Sequence, residues 1–289
     1  MLPSRFEYDR PSALEEALEL LTRYGDEAKV LAGGQSLIPM MKLRFASPSR
    51  LIDVNRIPGL DGIEEREGAL RIGALVRHNQ LAESEVVRSR YPTIATAAPQ
   101  IADPLVRNLG TIGGSLTHCD PSGDLGAVML SLEASVLLRS IDGEREVPIG
   151  EFLADTFQSS IAPTELLTEV RVPMPAARSG GAYLKLERKV GDYATVAVAV
   201  SLSMEDGAIG TIGIGLTSVG LTNLKATSAE QALVHAEPSE EAFAEAGRLA
   251  AGAANPVEDV RGSIAYKRHM VEVFVRRGLT RAVEMAGAA

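Results

Sequence analysis

Two glycine-paired segments decide the reading of this chain: Ala32-Gly33-Gly34-Gln35-Ser36 and Thr111-Ile112-Gly113-Gly114-Ser115. A Gly-Gly pair allows positive φ and lets a ligand approach the main chain with no Cβ in the way. Successive N–H groups in such a turn form a concavity that binds an anion. One pair alone reads as a tight turn. Two pairs, about eighty residues apart and each ending in a hydroxyl, suit a ligand with two linked phosphates, such as a dinucleotide.

Outward from the first pair, the short apolar run 29–32 predicts a strand that feeds the turn, and 36–43 a short helical or irregular segment rich in Met and Leu. Upstream, Ser12 with Glu15 reads as a capping box, with Leu14, Ala17, Leu18 and Leu21 on one helical face and Gly25 as the stop. Downstream, 51–54 reads as a strand, and 63–65 with 69–75 as a hairpin around Glu67-Gly68. The run 77–102 is helical, broken at Pro92. After the second pair, Leu125, Val128, Met129 and Leu132 mark a helix beginning near Ser122, and 136–139 with 144–147 flank the hairpin signal Asp142-Gly143.

The character changes at Pro173-Met174-Pro175 and Ser179-Gly180-Gly181, which read as a linker. Three strands follow, 182–187, 195–204 and 208–217, the last two joined at Asp206-Gly207. Helices over 227–234, 239–254 and 263–285 complete the chain. The expectation is an α+β protein with a mixed region, 1–175, and a C-terminal region, 176–289, of three antiparallel strands and then helices.

Composition bounds the function. A chain of 289 residues suits two or three compact units, and 45% hydrophobic with 23% charged residues is globular. A net charge of −9 disfavours nucleic acid and anionic membrane surfaces. Arg5, Glu7, Asp9 and Arg10 interrupt any signal-peptide core, and the best apolar run, 196–202, is strand-sized, so the expected compartment is the cytoplasm. Cys119 stands alone, which rules out a disulfide within the chain and an iron–sulfur cluster, since a cluster wants four thiolates. His78, His118, His235 and His269 are scattered, with no pair at helical i, i+4 spacing. Any metal chemistry therefore belongs to another chain.

Familiar nucleotide signatures do not fit. The G-x-G-x-x-G spacing is absent after Val30-Leu31, no P-loop lysine closes a glycine loop, and Gly213 and Gly215 read as strand glycines. What remains is a two-loop dinucleotide cradle of another kind. AGGQSLIPMMKLR from position 32 and TIGGSLTHCDPSGD from position 111 resemble the FAD-binding medium subunit of molybdenum hydroxylases, of the carbon monoxide dehydrogenase and xanthine dehydrogenase family. The resemblance covers nearly the whole chain and is specific for the module, not for a substrate.

It implies a two-subdomain FAD-binding fold of the vanillyl-alcohol-oxidase-like type, each subdomain giving one Gly-Gly loop to the FAD pyrophosphate. Ala32, Gly33, Gly34, Gln35, Ser36 and Leu37 would form one side, and Thr111, Gly113, Gly114 and Ser115 the other. Backbone N–H groups would do most of the work, helped by the Ser36, Thr111 and Ser115 hydroxyls. Asp124 would accept from a ribose or ribityl hydroxyl, although its place ahead of an apolar helix equally suits a first-turn charge. Ile101 and Leu167 would line the cofactor, Lys185 would lie near the flavin, and Tyr193 would cover the isoalloxazine face. Taken alone, the first two pass as core and the lysine as a solvated strand residue. Ser115 stands where the family commonly has Asn, and Gln35 where His is frequent. With no histidine in either loop the resemblance implies non-covalent FAD, Cys119 being the place where that would fail.

By resemblance, then, this is the electron-exit subunit of a heterotrimer. Substrate would react in a large molybdenum-binding subunit carrying molybdopterin. Electrons would cross a small iron–sulfur subunit with two-iron two-sulfur clusters, and FAD here would deliver them to an acceptor. The assembly implied is a dimer of heterotrimers, with the apolar stretch 38–43 as a candidate contact. Carbon monoxide, aldehydes, purines and N-heterocycles are all possible substrates of such complexes. Two alternatives are a self-sufficient flavin oxidoreductase on the same fold and a non-redox nucleotide-binding module.

Overall fold

The computed structural model describes residues 2–288. Strands β1 (Glu7–Asp9), β2 (Ala28–Leu31) and β3 (Arg50–Asp53) form a parallel sheet in the order β1-β3-β2. Parallel neighbours need crossovers, and helices Leu14–Tyr24 and Leu37–Leu43 lie in those connections. The stripe Ala17, Leu18 and Leu21 buries itself in a core shared with Ile52 and Val54. Burying one such leucine contributes about 1.5–3 kcal/mol. Ser12 and Glu15 do not form the expected capping box. Ala13 occupies the cap without a side-chain bond, and the Ser12 N–H donates instead to Glu16 Oε2 at 2.9 Å. The short strand β1 was not legible in the sequence.

A second, antiparallel sheet joins β4 (Ile63–Arg66), β5 (Ala69–Gly73), β6 (Ser135–Ser140), β7 (Gly143–Pro148) and β8 (Leu166–Pro173) in the order β4-β5-β8-β6-β7. The Glu67-Gly68 turn takes positive φ at both residues, 54° and 79°, as its hairpin requires. The helical run 77–102 breaks at Ser84 as well as at Pro92: Ser84 closes helix His78–Glu83 and caps helix Glu85–Arg90, its side chain accepting from Val87 N–H.

The C-terminal sheet is four-stranded, not three-stranded. β9 (Ser179–Leu186), β10 (Val196–Glu205) and β11 (Ala208–Thr217) are joined by β12 (Leu224–Lys225), giving the order β12-β11-β10-β9. Two residues carry no alternation by which a strand could be recognised. Helix Ile264–Ala288 packs against β9 and β10, and a Cβ at Gly180 would stand 1.9 Å from Ala282 O. Gly213 and Gly215 are strand glycines, and their role is close packing. A Cβ there would meet Ser131 O at 2.0 Å and Ala127 O at 1.9 Å, so helix Asp124–Ser131 lies directly on β11. All eight residues of that helix are buried, which fixes its first residue, Asp124, in the molecular interior. No helix among the described residues is long and apolar enough to cross a membrane.

Candidate functional site

Both glycine segments open onto one cavity of about 610 Å³. The first lies between β2 and helix Leu37–Leu43, with Gly34 at φ 71°. Gly33 is required for a different reason. A Cβ there would lie 2.4 Å from Leu109 O and 2.7 Å from Gly110 Cα, so the first segment rests against the residues that lead into the second. Gln35 folds back, donating from Nε2 to Gly33 O at 3.2 Å. In helix Leu37–Leu43, Met41 is buried while Ile38 and Leu43 are exposed.

The second segment is not a positive-φ turn. Thr111 is the N-cap of helix Ile112–His118, and neither Gly113 nor Gly114 has positive φ. Its backbone donors are already engaged: Ile112 N–H with Val76 O, Gly113 N–H with Ala74 O, and Ser115 N–H with Thr111 O, all at 3.0 Å. Gly114 N–H donates to Thr111 Oγ1 at 3.1 Å. An anion on this side therefore meets hydroxyl donors, those of Thr111, Ser115 and Thr117, more than main-chain ones. Gly114 keeps the approach open, since a Cβ there would lie 2.8 Å from Thr111 Oγ1 and 4.0 Å from Ala32 Cβ.

The cavity has two characters. Its lining combines loop and hydroxyl groups of the two segments with apolar side chains, among them Ile101, Ile161, Leu166, Leu167 and Phe157. A polar cradle joined to an apolar slot is what a ligand with a pyrophosphate and a planar ring requires. Ala32, Gly33, Gly34, Gln35, Ser36, Leu37, Ile101, Thr111, Gly113, Gly114, Ser115, Asp124, Leu167 and Tyr193 all line it. Lys185 does not. It stands one layer behind, its side chain 1% exposed, with Nζ 3.1 Å from Asp124 and 3.0 Å from Gln100 O. Burial pushes the Asp124 carboxyl up, against the pull of Lys185 and of Tyr183, whose hydroxyl donates to it.

Several lining residues escaped the sequence reading, among them His78, Gly110, Asp120 and Gly191. His78 is buried, and burial together with the Arg107 and Arg77 charges holds its imidazole down to about 4. It is therefore neutral near pH 7, and its Nδ1 has no hydrogen-bond partner among the described residues. Gly191, at φ 82°, seats the Tyr193 loop on Ala102, whose carbonyl a Cβ would meet at 2.8 Å. Tyr193 is half-exposed, and Arg261 holds its loop, donating to Tyr193 O at 2.5 Å and to Asp192 Oδ1 at 3.1 Å. Cys119 is buried outside the lining, and burial pushes its thiol up to about 12.

Comparison with known proteins gives concordant results. The family described as "FAD binding domain in molybdopterin dehydrogenase" matches residues 4–175, and "CO dehydrogenase flavoprotein C-terminal domain" matches residues 181–282. The carbon monoxide dehydrogenase medium chain of Hydrogenophaga pseudoflava is 43% identical over 282 residues, 98% of either chain. Subunit alpha of the 6-hydroxypseudooxynicotine dehydrogenase complex of Paenarthrobacter nicotinovorans is 39% identical, over 99% of this chain and 97% of that one. Among solved structures, a carbon monoxide dehydrogenase from Hydrogenophaga pseudoflava lacking the Mo-pyranopterin moiety superposes with a TM-score of 0.96 at 44% identity, covering 99% of both chains.

Proposed function

The chain belongs to the FAD-binding medium subunits of molybdenum hydroxylases of the carbon monoxide dehydrogenase type, and from that premise we propose how its residues hold the cofactor. It is the flavoprotein subunit of such a complex, and its share of the reaction is electron transfer. Bound here, FAD would supply the redox chemistry, exchanging electrons singly or in pairs. The protein binds, orients and shields.

One observation carries the assignment of residues: both glycine segments and a set of apolar side chains line a single cavity. The segment from Ala32 to Leu37 receives one phosphate on its backbone, and the Thr111 and Ser115 hydroxyls receive the other. Ile101 and Leu167 pack on the ring system, Tyr193 covers its face, and Asp124 accepts from a sugar or ribityl hydroxyl. Lys185 acts on the cofactor through Asp124. Attachment is non-covalent on this reading: Cys119 is buried outside the lining, where burial also pushes its thiol up.

The partners are a large subunit with molybdopterin and a small iron–sulfur subunit, assembled as a dimer of heterotrimers in the cytoplasm. The FAD-binding unit is 1–175 and the second unit 176–289. Replacing Gly34 or Gly114 with valine tests the cradle. Flavin absorbance per chain should fall steeply after gel filtration of the complex, with far-UV circular dichroism unchanged. Full flavin in both variants would remove the two-loop assignment.

A further inference from the structure

The first loop follows strand β2 and the second opens helix Ile112–His118, about eighty residues further on, and their relative placement is set by tertiary contacts. Asn55 and Arg77 do not line the cavity, yet they join its two sides. Asn55 Nδ2 donates to Ala32 O at 2.8 Å, in the first loop. Its Oδ1 accepts from Arg77 Nη2 at 2.6 Å, and the other arm of the same guanidinium, Nη1, donates to Leu109 O, just before the second loop. The Asn55 amide has one satisfactory orientation. Nδ2 also donates to Asp53 Oδ1 at 2.7 Å, so a flipped amide would set its oxygen against two oxygens and its NH₂ against a guanidinium. Asp53 is in turn buried and held by the Tyr8 hydroxyl and by Arg10 at 3.6 Å.

The arrangement has two consequences for the cradle. The planar trans peptide puts Gly33 N–H opposite Ala32 C=O, so holding that carbonyl on Asn55 turns the N–H away from Asn55. It also links the Ala32 carbonyl, through the Asn55 amide, to the guanidinium whose other arm holds the Leu109 carbonyl. Gly33, which has no room for a Cβ against Leu109 O, lies between them.

We propose that Asn55 and Arg77 form a clamp that sets the spacing of the two phosphate loops, and that both are positioning residues for FAD which touch no cofactor atom. The inference rests on the two-loop assignment. Its signature is selective: the pyrophosphate site loosens while the flavin environment stays as it was.

Asn55→Asp keeps the shape and the Arg77 contact but turns a donor to Ala32 O into a repelling oxygen. Arg77→Met removes both arms of the fork, and Arg77→Lys restores one. Deflavo complexes carrying each variant are titrated with FAD and with ADP-ribose, which has the pyrophosphate but no isoalloxazine. Both ligands should lose the same factor, about 10–100-fold for Asn55→Asp and Arg77→Met, as expected for lost hydrogen bonds to charged or buried groups, with Arg77→Lys intermediate. In FAD-saturated protein the phosphorus resonances should shift while the visible flavin spectrum does not. FAD and ADP-ribose affinities within a factor of about three of the parent in both severe variants would overturn the clamp. So would an altered visible spectrum together with a lowered apo-protein melting temperature, which would mark a general structural role. If Gly34→Val and Gly114→Val keep their flavin, the two-loop assignment itself has failed; if they lose it while the clamp variants bind normally, only the clamp has.

Discussion

Lys185 and Asp124 form a buried ion pair, Nζ to Oδ1 3.1 Å, with side chains 1% and 9% exposed. The lysine thus reaches the cavity only through the carboxylate it holds. Removing one partner of a buried pair leaves the other uncompensated, at a cost of about 3–5 kcal/mol. Lys185→Met should therefore lower the urea midpoint of the chain strongly, and adding Asp124→Asn should recover much of the loss, since Tyr183 can still donate to the amide oxygen. The sign with pH is fixed by Asp124, whose carboxyl burial has raised. A group raised in the folded state favours folding below its unfolded value and loses that contribution as pH rises. The Lys185→Met deficit should shrink as pH falls. A deficit independent of pH would refute the pairing argument.

His78 gives the opposite sign. Burial and two arginines depress its imidazole to about 4, against an ordinary value of 6.5. Its contribution is intact above about pH 6.5 and is lost as pH falls toward 4, where the unfolded chain takes up a proton that the folded chain refuses; over that window the loss is roughly 3 kcal/mol. Urea midpoints measured across pH 4–7 should therefore fall less steeply in His78→Gln than in the parent. Parallel curves would show that His78 titrates normally.

How much of this was legible in the sequence differs from element to element. The glycine pairs identified both sides of the cavity because close approach leaves few alternatives to glycine. The second pair was misread as a turn, since Thr111 as N-cap turns Gly113 and Gly114 into a first helical turn. β12 has two residues and β1 three, too few for any period to register. His78 looked like one scattered histidine because its burial depends on Gly110, whose missing Cβ leaves room for the ring: a methyl there would stand 2.8 Å from His78 Cδ2. Asn55 and Arg77 carry no motif at all. Their roles come from the meeting of two sheets, which no local pattern encodes.

Arg261 is 68 residues from Tyr193 in sequence but donates to its carbonyl, and it pairs with Asp192 at 3.1 Å. Both contacts hold the loop that carries Tyr193 over the cavity. Arg261→Ala should free that loop without touching the cradle. Iodide should then quench flavin fluorescence more efficiently in the variant, at unchanged flavin content. Equal quenching would mean that Gly191, seated on Ala102, holds the loop unaided.

The last prediction separates an electron-transfer subunit from a self-sufficient flavoenzyme. With one cysteine in 289 residues, the chain cannot supply the thiolates of an iron–sulfur cluster, so on the proposed reading the cluster that feeds the flavin sits in a partner. Dithionite should bleach the flavin of the medium subunit, whether separate or assembled, because that reduction needs only the cofactor and access to it. Carbon monoxide, aldehydes, purines and N-heterocycles should leave the separated subunit oxidised. In the assembled complex, whichever of them is the substrate should bleach it. Clamp and cradle variants should slow flavin reduction in the complex only in proportion to lost flavin, since they act on binding and not on the path of the electron. Rapid-scan absorbance of these preparations makes the comparison. Turnover of any of these substrates by the separated subunit at the rate of the complex would overturn the electron-transfer assignment and favour a flavoenzyme that works alone.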